Sequence, residues 1–228
     1  MNTARIIAVT QPTISTFEKD SHVGKMLTVD EFVAYVARVS NPSNQNNTDT
    51  APKLLRYLAK HKHWSPFEMV HIVMEINTTR DIARQVLRHR SFSFQEFSQR
   101  YADPTQDLGF VTREARLQDT KNRQNSIETD DPFIQNDWQI YQSDVIEAAR
   151  AAYAWAIESG VAKEQARAVL PEGLTSSRLY MAGSLRSWIH YCQVRADVAT
   201  QKEHRDIALD AWYQITSHFP SLTDALDI

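Results

Sequence analysis

The chain has 228 residues, 42% hydrophobic and 23% charged, enough for one large globular domain or two small ones. A net charge of -3 argues against a general nucleic-acid binder, which is usually basic. With only 5 glycines, a hairpin-rich all-β fold, which needs many tight turns, is also disfavoured.

Residues 4–10 read as a strand closed by Gln11-Pro12. Behind Arg5 lies only a short apolar run, Ile6 to Val9, so no secretory signal is expected. No stretch reaches the length of a membrane span, and a soluble, cytoplasmic protein is the expectation. Thr28-Val-Asp-Glu31 has the form of a capping box and opens a helix through Val39. A polar loop covers 41–50, after which Asp49 or Thr50 caps a helix through about Lys62, with Pro52 near its start. Residues 67–77 alternate as a strand, with Glu68, Val70, Ile72, Met74 and Ile76 on the core side. A helix over 79–89 follows, with Thr79 as cap and Ile82, Ala83, Val86 and Leu87 as its apolar stripe. Arg80, Arg84 and Arg88 share another face at four-residue spacing.

The segment after Arg90 reads as extended. Phe92 and Phe94 keep period two, Phe97 does not, and a bulge or turn near Gln95-Glu96 accounts for the slip. Beyond it, an extended run puts Glu96, Ser98 and Arg100 on one side. Residues 102–135 are polar, and 118–131 reads as a mobile insertion or lid. A long helix is expected over 137–158, ended by Gly160, then a short helix over 162–170 stopped by Pro171. A strand over 177–183 and helices over 184–195 and 199–219 complete the chain. The single cysteine, Cys192, falls in an apolar helical run and reads as a buried thiol. Strands and helices mix without regular alternation, and no Gly-rich phosphate loop occurs. The fold class is therefore α+β, with helices packed on a mainly antiparallel sheet.

Chemistry concentrates between Thr79 and Tyr101. Arg88, His89, Arg90, Ser98 and Arg100 supply guanidinium forks, an imidazole and a hydroxyl, donors that suit phosphate oxygens. The same residues also fit a solvated basic helix end. Arg88-His-Arg90, seven residues, then Ser98 and Arg100-Tyr101 resembles the signature of the flavin-dependent thymidylate synthases. His63-Trp-Ser65-Pro-Phe-Glu68, Arg167-Ala-Val-Leu-Pro171, Leu185-Arg186-Ser-Trp and Arg195-Ala-Asp resemble further segments of that family, in its order. Together they span about Ala37 to Glu203, and four motifs in order are far more specific than one.

The resemblance implies reductive methylation of dUMP, with methylenetetrahydrofolate as carbon donor and noncovalent FAD, recharged by NADPH, as hydride carrier. It implies one domain over 1–228 and a homotetramer with shared active sites, bound to no nucleic acid, membrane or metal. By its motifs, Gln85, Arg88, Glu96, Ser98, Arg100, Arg167 and Arg195 match dUMP-binding positions. His63, Ser65, Arg88, His89, Arg90, Glu96, Ser184, Arg186 and His190 match positions that touch FAD. Arg195 matches the residue credited with activating the uracil ring. The sequence departs from the common pattern where many members carry Asn, here Ser184 and His190, and where many carry His, here Ala199. Two other readings are a nucleotide- or RNA-binding module built on the arginines, and a metal-dependent hydrolase built on His61, His63 and His71. The acidic net charge weighs against the first and the missing carboxylate spacing against the second.

Overall fold

The computed structural model describes residues 2–17, 24–223, 225–226 and 228. Strand β1 (Thr3–Val9) is followed by two short paired strands, β2 (Ser15–Phe17) and β3 (Gly24–Met26). Helix α1 (Val29–Ala37) opens on the expected capping box: Thr28 Oγ1 accepts from the Glu31 amide, and Glu31 Oε2 accepts from the Thr28 amide at 2.7 Å. Helix α2 (Ala51–Lys60) has Pro52 in its first turn but no side-chain cap. The Thr50 hydroxyl accepts instead from Arg38 Nη2 at 2.7 Å. The helix stops at Lys60, two residues short of the expected end, because Lys62 takes a left-handed conformation with φ of 58°.

The strand expected over 67–77 is shifted. A 3-10 turn, Ser65–Met69, with Pro66 near its start, buries Phe67, and β4 then runs His71–Thr79. The expected inner face holds from Val70 onward: Val70, Ile72, Met74 and Ile76 are fully buried. Each such side chain contributes about 1.5–3 kcal/mol through burial. Helix α3 (Arg80–Val86) is shorter than expected, and Thr79 does not cap it. The Thr79 hydroxyl donates to Asp81 Oδ1 at 2.5 Å and accepts from Arg113 Nη2 at 2.6 Å.

Strand β5 (Ser93–Glu96) carries no bulge. Its inward positions are Phe94 and Glu96, so the alternation continues through a carboxylate that Arg80 and Ser177 receive. The irregularity in the sheet lies in β1, between Ile6 and Ala8. Helix α4 (Pro104–Asp107) follows. The region expected as an insertion or lid forms a second pair of strands, β6 (Arg116–Gln118) and β7 (Ser126–Glu128). Helix α5 (Pro132–Glu158) starts earlier than 137, because Asp131 Oδ1 accepts from the amides of Phe133 and Ile134 with Pro132 at the first helical position. Helix α6 (Lys163–Ala166), β8 (Ser176–Ser184), α7 (Leu185–Arg195) and α8 (Lys202–His218) complete the order. α8 begins at Lys202, after the turn in which Thr200 N bonds Asp197 O.

The main sheet has the order β1-β4-β8-β5, and all its pairs are antiparallel. β4 and β8 pair along their full length, from His71 with Ser184 to Thr79 with Ser176. Helices α3, α7 and α8 pack with this sheet. Trp188 on α7 is fully buried, and its indole N–H donates to Ile72 O at 3.2 Å. The observed class is α+β, as expected. α5 carries a small second cluster of Tyr153 and Ala156 against Ala166 and Leu170, and leaves Phe133, Tyr141 and Trp155 exposed. Among the described residues, no helix is long and apolar enough to cross a membrane.

Candidate active site

α3 ends just before Arg88-His89-Arg90, and α7 ends on Arg195. The two ends meet. Arg195 Nε donates to His89 Nε2 at 2.9 Å. A guanidinium can only donate, so His89 is neutral with its proton on Nδ1. Burial, then the neighbouring Arg195, His190 and Arg88, push the His89 pKa down to about 4. The ring stands edge-on to Tyr191, with centroids 4.9 Å apart, and lies near Phe92 at 6.4 Å. Packing thus fixes the imidazole, and the imidazole fixes the guanidinium. The Nη groups of Arg195 make no hydrogen bond or ion pair among the described residues. Arg88 and Arg90 are exposed on the same turn.

Gln85 lies one turn earlier on α3 and enters a partly buried chain of polar groups. Its Oε1 is 3.3 Å from His204 Nδ1, and its Nε2 donates to Gln201 Oε1 at 2.8 Å. Gln201 Nε2 donates to Glu203 Oε2 at 2.9 Å, and Glu203 Oε1 accepts from Arg116 Nη2. At the other end, His204 Nε2 is 3.1 Å from the Tyr191 hydroxyl. Burial, then Arg195 and His89, push His204 down to about 3. Burial raises the Glu203 carboxyl, but its own amide, Gln201, Arg116 and Arg113 outweigh that and hold it below the usual carboxylate range.

The segment after β5 does not stay extended, because the amides of Tyr101 and Ala102 turn back onto Ser98 O. That turn docks on α6. Arg100 Nη2 pairs with Glu164 Oε2 at 3.3 Å, Arg167 Nε donates to Glu164 O at 3.3 Å, and Lys163 Nζ donates to Tyr101 O at 2.9 Å. Ser98 Oγ accepts from the Arg100 amide at 3.4 Å. Ser98 and Arg100 therefore share one turn, and Arg167 bonds the backbone oxygen of the same Glu164 whose side chain holds Arg100. Glu96 does not join them: Ser177 Oγ donates to Glu96 Oε1 at 2.8 Å, and Arg80 Nη1 lies 3.5 Å from the same oxygen. Among the described residues, no hydrogen bond or ion pair links the Ser98 group to the Arg195 group.

Remaining candidates gather around α7. Ser184 Oγ and Arg186 Nη1 both donate to Glu68, at 3.1 and 2.5 Å, and the Arg186 bond holds that carboxyl below its usual range. Arg186 and His190 line a cavity of about 260 Å³ with Trp64, Ser91 and Ile189. An apolar side from Trp64 and Ile189 faces cationic and hydroxyl donors. That lining suits an aromatic ring or a phosphate, and at this volume it takes one part of a group the size of FAD. Ser65 opens the 3-10 turn beside Trp64, and His63 lies exposed near Tyr57 and His61, with centroids at 6.0 and 6.3 Å.

Residues 23–221 match the family described as thymidylate synthase complementing protein. The chain belongs to the flavin-dependent thymidylate synthase family. It is 48% identical to a flavin-dependent thymidylate synthase of Synechocystis sp., over 98% of each chain. It is 44% identical to a probable flavin-dependent thymidylate synthase of Paramecium bursaria Chlorella virus 1, again over 98% of each. Its fold is also similar to that of the UMP/dUMP methylase PolB from Streptomyces cacaoi bound with 5-Br dUMP, with a TM-score of 0.74 and 23% identity over 98% of this chain and 95% of that one.

In this member of the family, Cys192 is fully buried, and burial pushes its thiol far above the range in which a thiolate forms. Among the described residues, no three potential metal ligands group together. Sequence reasoning did not single out His204, Tyr191 or Arg116. A signal for His204 existed: it shares helical spacing with Ile207, Ala208 and Ala211, all fully buried. For Arg116 the sequence held none, because its partner Glu203 lies 87 residues away.

Proposed function

We propose that the protein converts dUMP to dTMP, using methylenetetrahydrofolate as carbon donor and FAD recharged by NADPH as hydride source, in the de novo synthesis of dTMP. The observation that carries this reading is Arg195 held on neutral His89. An arginine stays protonated at working pH, so Arg195 is a fixed donor and not a base. With Nε engaged, its two Nη groups can face an oxygen and an adjacent nitrogen of one pyrimidine edge. They stabilise the negative charge that develops there as the ring becomes nucleophilic. His89 spends its only lone-pair nitrogen on Arg195, so its task is to aim the guanidinium.

Ser98, Arg100 and Arg167 supply two forks and a hydroxyl for the nucleotide phosphate, with Gln85 and Arg88 on the Arg195 side. Among the described residues Ser98 Oγ bonds only the Arg100 amide and has no base at hydrogen-bond distance, so its role here is a hydrogen bond and not attack. Arg90, Arg186, His190, Ser184, Ser65 and His63 would hold the flavin. Once reduced by NADPH, that flavin would supply the hydride that completes the methyl group. Glu96, occupied by Arg80 and Ser177, shapes the nucleotide side through the end of β5.

One nucleotide needs both the Ser98 group and the Arg195 group. A homotetramer in which neighbouring subunits supply one each meets that need, and the exposed Phe133, Tyr141 and Trp155 of α5 give it apolar surface. Light scattering of active protein is expected to give four chains; a monomer mass at working concentration overturns the assembly. Purified protein, once heat-denatured, is expected to release free FAD, and dUMP is expected to perturb the spectrum of the native holoprotein. Protein reconstituted with excess FAD that retains no flavin and makes no dTMP overturns the reading.

A further inference from the structure

The partly buried chain of polar groups between Tyr191 and Arg116 has a direction, and one carboxylate sets it. Glu203 accepts only, and Arg116 occupies its Oε1. Gln201 must therefore turn its nitrogen to Glu203 Oε2, at 2.9 Å, and its oxygen to Gln85. Gln85 then turns its nitrogen to Gln201 and its oxygen to His204. A carbonyl oxygen cannot donate, so His204 carries its proton on Nδ1 and the Tyr191 hydroxyl donates to Nε2. Every bond runs the same way, from the Tyr191 hydroxyl through His204, Gln85 and Gln201 to Glu203. His204 and Tyr191 are fully buried, so water offers no substitute at that end, and Gln85 and Gln201 are half-buried.

We propose that Glu203, Gln201 and His204 are positioning residues that lock the side-chain amide of Gln85 in one of its two orientations. This rests on the reading that Gln85 touches dUMP. The reversed amide would exchange donor for acceptor at each point of nucleotide contact, so the lock serves recognition of dUMP and not the fold. The Arg116 bond brings β6 into the same device: the paired strands at 116–128 hold the carboxylate that orients a residue on α3.

Glu203→Gln tests the lock, because an amide in that place can offer either end and the chain loses its direction. Nitrogen NMR of ¹⁵N-histidine-labelled holoprotein is expected to show wild-type His204 protonated on Nδ1, the less common form in water. In Glu203→Gln it is expected to show a mixture. dUMP binding is expected to weaken about tenfold, with flavin content and circular dichroism unchanged. Gln201→Met breaks the same chain one link nearer, and the double variant is expected to be no worse than either single one. Wild-type His204 protonated on Nε2 overturns the proposal. So does undiminished dUMP affinity in both variants. If the wild type binds no dUMP, the nucleotide reading of the site fails, while the histidine spectrum still decides whether the chain runs as described.

Discussion

Gly183 sits in β8, where it pairs with Ile72 of β4, and the ring of Phe92 lies against it. A Cβ added at Gly183 would stand 2.5 Å from Phe92 Cδ1 and 2.7 Å from Cε1. Ordinary carbon contacts lie at about 3.5–4.0 Å, so Gly183→Ala requires the ring to retreat by about 1 Å. It has little room to do so. Phe92 is edge-on to Trp188 with centroids at 4.8 Å, Tyr191 stands 6.1 Å away, and the fully buried Trp188 is tied to Ile72 O. Overpacking of this kind costs about 1–3 kcal/mol. In a chain of this size each kcal/mol lowers Tm by about 2–4 °C, so a fall of roughly 2–12 °C is expected. The same push reaches His89, which packs on Phe92 and Tyr191, so the retained flavin and the dUMP response should weaken as well. Urea melts of wild type, Gly183→Ala, Phe92→Leu and the double variant, at one protein concentration, measure this. The smaller Leu side chain should recover part of the loss, giving a favourable coupling between the two sites. Wild-type stability in Gly183→Ala, or strictly additive losses, would refute the argument.

Arg195→Ala is expected to lower single-turnover conversion of dUMP by about a hundred- to a thousandfold, and Arg195→Lys to recover only part, since lysine brings charge without the fork. A near-normal rate with reduced flavin and folate donor present removes Arg195 from the chemical step. Ser98→Ala is expected to weaken dUMP binding by about 1–3 kcal/mol while some turnover survives; complete loss at saturating dUMP with flavin bound would point to a covalent role instead. His89 and His204 are held below the ordinary histidine value of 6.5, at about 4 and about 3, so the folded state disfavours their protonation. Their contribution to stability is full above about 6.5 and is lost as pH falls toward those lower values. Urea midpoints at pH 7 and pH 5 should therefore fall further in wild type than in His204→Gln; an equal fall in both contradicts the burial argument.

The strands β4 and β8 and the helices α7 and α8 could be placed from alternation and apolar spacing, because those patterns record which face is buried. What escaped was set by distant partners. Glu96 holds an inward strand position only because Arg80, 16 residues earlier, and Ser177, 81 later, receive its carboxylate. Thr79 does not cap α3 because Asp81 and Arg113 compete for its hydroxyl. Residues 116–128 have no apolar period, and what ties them is the pairing of β6 with β7 and the bond from Arg116 to the distant Glu203. The site residues named from motifs were legible as chemistry, but not as groups. That the Ser98–Arg100 turn docks on Glu164 of α6, apart from His89 and Arg195, is a matter of tertiary placement.

The strand order also governs how the chain can be made. β4 is complete at Thr79, yet its second neighbour, β8, starts at Ser176, and β5 has no other neighbour in that sheet than β8. At ribosomal speeds of about 5–20 residues per second, the intervening stretch of roughly 100 residues takes about 5–20 s to emerge. Throughout that interval β1 can cover one side of β4, while the other presents unpaired amides and carbonyls beside an apolar face. Nascent chains halted before Ser176 therefore carry an open strand edge, the form of polypeptide most prone to pair with its own copies. The part made last, from Ser176 onward and about a quarter of the chain, closes the sheet and brings Arg195 to His89, so the candidate site and protection from aggregation arrive together.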